Sequence, residues 1–249
     1  MEKTKKIIAI GGGEIGRPGY KIETLAIDKE VIKLSGKKSP NLLFIPTASS
    51  DAQGYIDVIN NYFGGKLGAK VSSLLLIKNK YTKKELKNKI LNADVIYVGG
   101  GNTLKMMKTW RKFGVDRLLI EAYSKGIVLS GLSAGAICWF KYGQSDAKKF
   151  TNKKVPYITV SGLGIVNALF SPHYDFEKDR QIDIKERMKK ISGFALAAEN
   201  CAAIEIVDGM FRIISSRKFA NVYKIYWKDG KYFKHKLKKE NKFHAISEL

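Results

Sequence analysis

A chain of 249 residues, 45% of them hydrophobic and evenly spread, is long enough for one α/β domain with a sizeable core, which excludes a disordered or fibrous protein. No stretch approaches the roughly 18 apolar residues of a membrane span, and Ile7 to Ile10 are too short for a secretory leader, so a soluble, cytoplasmic protein without membrane contact is expected. The 45 Lys and Arg outweigh 23 Asp and Glu, for a net charge of +22, but they are mostly scattered lysines without a basic helix, which reads as a solvated surface and makes nucleic acid an unexpected partner.

Apolar runs alternate with amphipathic ones, as expected for a parallel sheet wrapped by helices. The predicted strands are residues 6–10, 41–46, 70–77, 94–98 and 126–130. Between them Tyr55, Ile59, Tyr62 and Phe63 recur at helical spacing, as do Met106, Met107 and Trp110, and then Val115, Leu118, Leu119 and Ala122. These are helices with one buried face. After a looser stretch over 141–156 the pattern resumes with 168–171 and a helix carrying Ile184, Met188 and Ile191. Residues 201–207, 210–214, 222–227 and 232–236 are short strands joined at Asp208-Gly209 and Asp229-Gly230 by hairpin-type turns, expected as an antiparallel extension of the same sheet. The two cysteines, Cys138 and Cys201, lie in apolar segments and offer neither a disulfide framework nor a metal site. One domain over 1–249 is expected, with no metal and no cofactor.

The strongest local signal is residues 126–137, where an apolar strand runs into Gly131-Leu132-Ser133-Ala134-Gly135 and then a helix. A serine nucleophile needs such a turn, which exposes the hydroxyl and sets the N–H of Ala134 where it can meet a developing oxyanion. The serine also needs a base. Of three histidines, His235 and His244 sit among C-terminal lysines, whereas His173 follows an apolar strand in Ser171-Pro172-His173, at a strand end where α/β proteins place catalytic groups. The group that orients the imidazole is Glu199, a carboxylate in the apolar run 197–203, or Asp175.

A second cluster, Gly99-Gly100-Gly101-Asn102-Thr103, ends a strand and opens a helix, so it can supply an oxyanion hole, a phosphate cradle or a plain turn. A third, Gly11-Gly12-Gly13-Glu14-Ile15-Gly16, matches a dinucleotide fingerprint literally, but Arg17-Pro18-Gly19 delays the helix and no acidic residue ends the second strand, which argues against a nucleotide.

Taken together, Gly11-Gly12-Gly13, the segment 43–48, the run 96–103, the elbow 131–136 and Ser171-Pro172-His173 resemble peptidase family S51, which holds dipeptidase E and cyanophycinase and is related to class I glutamine amidotransferases. The resemblance spans about residues 6 to 215 and implies a largely parallel central sheet with helices on both faces. It implies a Ser-His-Glu triad of Ser133, His173 and Glu199, an oxyanion hole at Gly101, with Gly100, and Ala134, and acyl transfer to water on a small peptide, aspartyl peptides included. Asn102 and Arg180 are the candidate substrate-binding residues, although Arg180 also reads as a helix-surface arginine. Leu132 departs from the Trp or Thr of the family's elbow, and the hairpins beyond about 215 are unmatched. A homodimer is one expected assembly. The competing readings are an α/β-hydrolase esterase, which would need His235 or His244 as base, and a silent or regulatory binding protein on the same scaffold.

Overall fold

The structure is a computed structural model that describes residues 3–150, 152, 154–176 and 178–249. A central sheet is built from β1 (Lys6–Ile10), β2 (Asn41–Ile45), β3 (Lys70–Ser73), β4 (Val95–Val98) and β5 (Val128–Leu132), all parallel. Its residues alternate between two cores. Ile7, Ala9, Leu43, Ile45, Ile96, Val98 and Leu129 face one way, and Ile8, Ile10, Leu42, Phe44, Val95, Tyr97 and Val128 the other. Side chains on successive strand residues point to opposite faces, so a strand covered on both sides must be apolar throughout.

The first face is covered by α3 (Lys83–Leu91), α4 (Thr103–Phe113) and α5 (Val115–Ser124), through Leu86, Ile90, Met106, Met107, Trp110 and Leu119. The second is covered by α1 (Leu25–Leu34), α2 (Gln53–Ile59) and the π-helical continuation Asn60–Lys66, through Ile27, Val31, Ile59, Tyr62 and Phe63. The helices predicted over 55–63, 106–110 and 115–122 are therefore present, whereas the one expected to carry Ile184, Met188 and Ile191 ends at Arg187, before Met188 and Ile191. The strand expected over 70–77 stops at Ser73, because the Asp51 carboxylate accepts the N–H groups of Ile77 and Lys78 and holds that stretch as a turn.

The C-terminal strands divide in a way the periodicity does not show. β10 (Ala202–Val207) and β11 (Met210–Ser215) extend the central sheet antiparallel from β1, with β14 (His244–Ala245) at the edge. The hairpin of β12 (Val222–Lys228) and β13 (Lys231–Lys236) instead joins a second, six-stranded sheet with β6 (Phe140–Ser145), β7 (Ile158–Ser161), β8 (Val166–Ser171) and β9 (Ala195–Ala198). The expectation of one continuous sheet is corrected here: Val222 pairs with Ala198, so the hairpin takes the free edge of β9. One face of this second sheet packs into the main core. The other carries Leu169, Ala195, Ala197 and Ile225 against Ile184 of α7 (Lys178–Arg187) and Met188. Among the described residues no helix is long and apolar enough to cross a membrane.

Candidate active site

β1, β5 and β4 are neighbours in that order and end side by side, handing the chain to Gly11, Ser133 and Gly99. The carboxyl edge of a parallel sheet is where loops from adjacent strands converge. Ser133 turns the chain from β5 into α6 (Ala134–Ile137) with φ 56° and ψ −115°, a conformation that costs a non-glycine residue on the order of 1–3 kcal/mol. Its N–H donates to the Ile10 carbonyl at 3.1 Å. The turn closes against β4 so tightly that a Cβ on Gly135 would collide with the Val98 carbonyl.

His173, two residues beyond β8, also has a positive φ, 52°, and its N–H donates to the Gly11 carbonyl at 3.0 Å. Its Nε2 lies 2.8 Å from Ser133 Oγ. Its Nδ1 lies 2.8 Å from Oδ1 of Asn200. An amide oxygen only accepts, so Nδ1 carries the hydrogen and Nε2 is left to accept from the serine hydroxyl. His235 and His244 are elsewhere, against Tyr226 and Glu240 on the C-terminal strands.

Glu199, expected on Nδ1, is turned the other way. Its Oε2 accepts from the N–H and side-chain amide of Asn221 at 2.7 and 3.1 Å, and its Oε1 from the Tyr223 hydroxyl at 3.0 Å. The physical reason lies in the turn between β9 and β10. The Glu199 N–H donates outward to the Asn221 carbonyl, while Cys201, at φ 64°, donates inward to Gly12 at 2.8 Å, so the residue presented to the imidazole is Asn200. Asp175, the rival carboxylate, accepts the Asn200 backbone N–H at 2.8 Å.

The glycine-rich loop after β1 belongs to this arrangement. A Cβ on Gly12 would overlap both Asn200 Oδ1 and His173 Nδ1, so Gly12 is what lets the amide and the imidazole meet over the loop. Further along, the N–H groups of Ile15, Gly16 and Arg17 donate to Glu14 Oε1 at 2.9, 3.1 and 2.9 Å. The loop therefore spends on its own carboxylate the amides that a phosphate would need.

In the second glycine loop the Gly100 N–H donates to the Tyr55 hydroxyl at 3.2 Å, and burial pushes that phenol up to about 12. Gly101, at φ 134°, passes so close to the Ala48 carbonyl that a side chain would overlap it. The Ala134 amide heads the first turn of α6, where no helical carbonyl reaches it. Asn102 is committed to structure: its Oδ1 caps α4 at the Lys105 N–H, and its Nδ2 donates to Ala147. Arg180, expected to meet substrate or lie on a helix surface, is buried, with Nη1 donating to the Gln144 carbonyl and its guanidinium over the Tyr157 ring. Neither borders the cleft.

That cleft, about 630 Å³, opens over Ser133, His173, Gly100 and Tyr55, within the range of small-molecule sites. Among the described residues no group of three His, Cys, Asp or Glu could hold a metal ion. Asn200, Gly12 and Tyr55 stand beside His173 and Gly100 in this arrangement without having been named as candidates from the sequence. Gly12 had a visible signal in its triple glycine, whereas Tyr55 reads only as a helix core position.

Comparison with known proteins agrees with this architecture. A sequence model of Peptidase family S51 matches residues 7–214. The chain is 37% identical over 227 residues to the uncharacterized peptidase YgaJ of Bacillus subtilis (strain 168), covering 89% of this chain and 92% of that protein. It is 28% identical to the uncharacterized peptidase Lmo0363 of Listeria monocytogenes over 63% of this chain and 79% of that one. Among solved structures, a peptidase from an acI-B1 Actinobacterium shares the fold with a TM-score of 0.71 at 16% identity, over 98% of this chain and 97% of its own. With its family match spanning both glycine loops, the elbow and His173, this chain belongs to peptidase family S51.

Proposed function

We propose that this peptidase is of the serine type, with Ser133 as nucleophile, His173 as general base and then general acid, and Asn200 as the group that orients the imidazole. The observation that carries the reading is the 2.8 Å approach of His173 Nε2 to Ser133 Oγ, within reach of direct proton transfer. His173 takes the hydroxyl proton as Oγ attacks the scissile carbonyl. The oxyanion so formed is met by the N–H groups of Ala134 and Gly101, each such donor being worth roughly 3 kcal/mol. His173 then protonates the leaving amine, and a water activated by the same nitrogen hydrolyses the acyl-serine. Gly100, whose N–H is held by Tyr55, contributes to the hole through the tyrosine hydroxyl.

Asn200 fixes the tautomer as a carboxylate would, but it brings no charge to balance the imidazolium. The mechanism therefore has orientation without electrostatic support from the third residue. The test is labelling with a fluorophosphonate followed by peptide mapping. The reading requires an adduct on Ser133 that disappears in Ser133→Ala and is strongly slowed in His173→Ala. A wild-type protein that hydrolyses peptides without forming the adduct would overturn it.

A further inference from the structure

The hairpin of β12 and β13 forms one edge of the second sheet, and among the described residues none of the hairpin borders the cleft over Ser133. Its register sets Tyr226 opposite Phe233, Lys224 opposite His235 and Lys228 opposite Lys231. Side chains alternate across a strand, so these six share one face. Three of them are rings that lie nearly parallel. Tyr226 and Phe233 have centroids 5.1 Å apart with planes at 12°, Tyr226 and His235 are 5.7 Å apart at 30°, and Phe233 and His235 are 6.0 Å apart at 19°. Lys224 Nζ stands 5.1 Å from the Tyr226 centroid and 5.6 Å from that of Phe194, the residue before β9. His235, Lys228 and Lys231 are exposed, and Tyr226 and Phe233 are half-buried. Between Arg217 and Lys239 the only acidic residue is Asp229, in the hairpin turn. The strip continues past Phe194, whose ring also lines a depression of about 360 Å³ on β6, β7 and β8. There Lys141 and Lys190 are the charged residues, and no carboxylate borders it among the described residues.

From this alternation of rings and lysines we infer that the hairpin and the adjoining depression bind single-stranded nucleic acid, independently of the serine site. Bases stack on Tyr226, Phe233 and His235, and the phosphate backbone follows Lys224, Lys228 and Lys231 on the hairpin and Lys141 and Lys190 in the depression. Single strands are held by this combination, because every base has a face that an aromatic ring accepts while cations along the groove meet the phosphates. A duplex hides its base faces in its own stack and is left with the lysines alone. The other lysines of this basic chain attract any polyanion, so the rings are what give this face a preference. A lipid surface suits the geometry less well. These rings lie against one another, half-buried on the sheet, whereas insertion at a bilayer surface calls for apolar side chains that sink into the acyl boundary.

The experiment titrates the full chain onto a fluorescein-labelled oligothymidylate, onto the same strand paired with oligoadenylate, and onto vesicles of phosphatidylcholine with phosphatidylserine, with anisotropy read for the oligonucleotides and cosedimentation for the vesicles. The single strand should bind at least about tenfold more tightly than the duplex. Its log affinity should fall against log salt with a slope of about −3.5, five lysines at roughly −0.7 for each phosphate contacted. Phe233→Leu keeps the apolar volume and removes the ring face, so it should weaken the single strand at least about fivefold and leave the slope unchanged. His235→Ala, at an exposed position, should weaken it several-fold as well. Lys224→Gln combined with Lys231→Gln should make the slope shallower by about 1.4. Urea midpoints report whether each variant is folded. Duplex binding as tight as single-strand binding, or folded Phe233→Leu and His235→Ala variants that bind as the wild type does, would reduce the interaction to bulk charge and overturn the inference. So would an absence of oligonucleotide binding at low salt, or vesicle binding that depends on Phe233 in place of it.

Discussion

His173 Nδ1 rests 2.8 Å from the amide oxygen of Asn200, while the carboxylate of Glu199, one residue earlier, is bound to Asn221 and Tyr223. In the proposed mechanism the two neighbours are thus divided between orientation of the base and attachment of β9 to β12. Asn200→Ala should lower kcat on the order of a hundredfold with little change in KM, because an unheld imidazole loses its tautomer and direction. Asn200→Asp should restore activity and move the acid limb of the kcat/KM profile to higher pH, since a carboxylate favours the imidazolium. Glu199→Ala should act mainly on stability, costing roughly 2–3 kcal/mol in urea unfolding through lost charge-assisted hydrogen bonds. If Glu199→Ala reduces kcat as far as Asn200→Ala does, this division of roles is wrong.

Gly12 gives a second test, because the missing side chain is itself the contact surface. Gly12→Ala places a methyl group where Asn200 Oδ1 and His173 Nδ1 meet, so one of the two must move. A displacement of about an ångström in a catalytic base costs on the order of a hundredfold. We expect that loss in kcat, together with slower fluorophosphonate labelling of Ser133. Full activity in a folded Gly12→Ala would mean that the imidazole is not held against this loop.

Much of this arrangement is legible in the chain. The two-sided burial of β1, β2, β4 and β5 makes them continuous apolar runs, and the break at Gly131 to Gly135 marks the elbow directly. His173 stands out because a strand ends just before it. The choice between Glu199 and Asn200 is a different matter: it depends on which of two adjacent residues a turn rotates inward. That rotation is set by the Glu199 N–H bonding to Asn221 and the Cys201 N–H bonding to Gly12, partners 22 and 189 positions away in the chain (221 − 199 and 201 − 12). The hairpin turn at Asp229-Gly230 is equally visible, but its docking on β9 is a long-range pairing with no local signal. Arg180 sits in a helix pattern that looks solvated, and its burial against the Gln144 carbonyl and the Tyr157 ring rests on contacts distant in sequence.

Tyr55 connects α2 to the Gly99–Gly101 loop, which supplies an oxyanion donor in the proposed mechanism. Its hydroxyl accepts from the Gly100 N–H and has one hydrogen of its own left to donate, and with its phenol pushed up to about 12 that hydrogen is retained through any ordinary assay range. Tyr55→Phe should lower kcat about tenfold and leave the profile between pH 6 and 10 otherwise unchanged in shape. Steady-state kinetics on any peptide the wild type hydrolyses would read this. A variant as fast as wild type would assign the oxyanion to the backbone donors alone.

Asp28 on α1 lies deep in the second core, with one oxygen accepting from the Tyr62 hydroxyl at 2.9 Å and the Thr24 hydroxyl beside the carboxyl. Burial pushes its carboxyl up from 3.8 to about 7. Between those two values the folded chain holds a proton that the unfolded chain has released. Stability therefore declines as pH rises through that window and levels off above about 7. Asp28→Asn keeps an acceptor for Tyr62 and removes the titration. Urea unfolding at pH 5 and pH 8 should show a wild-type loss that the variant lacks, leaving Asp28→Asn the more stable protein at pH 8 by roughly 2–4 kcal/mol, the scale of a shift of about three pH units. The difference between the two proteins isolates this carboxyl from every other titrating group. Parallel pH dependences in wild type and variant would show that Asp28 carries no such proton.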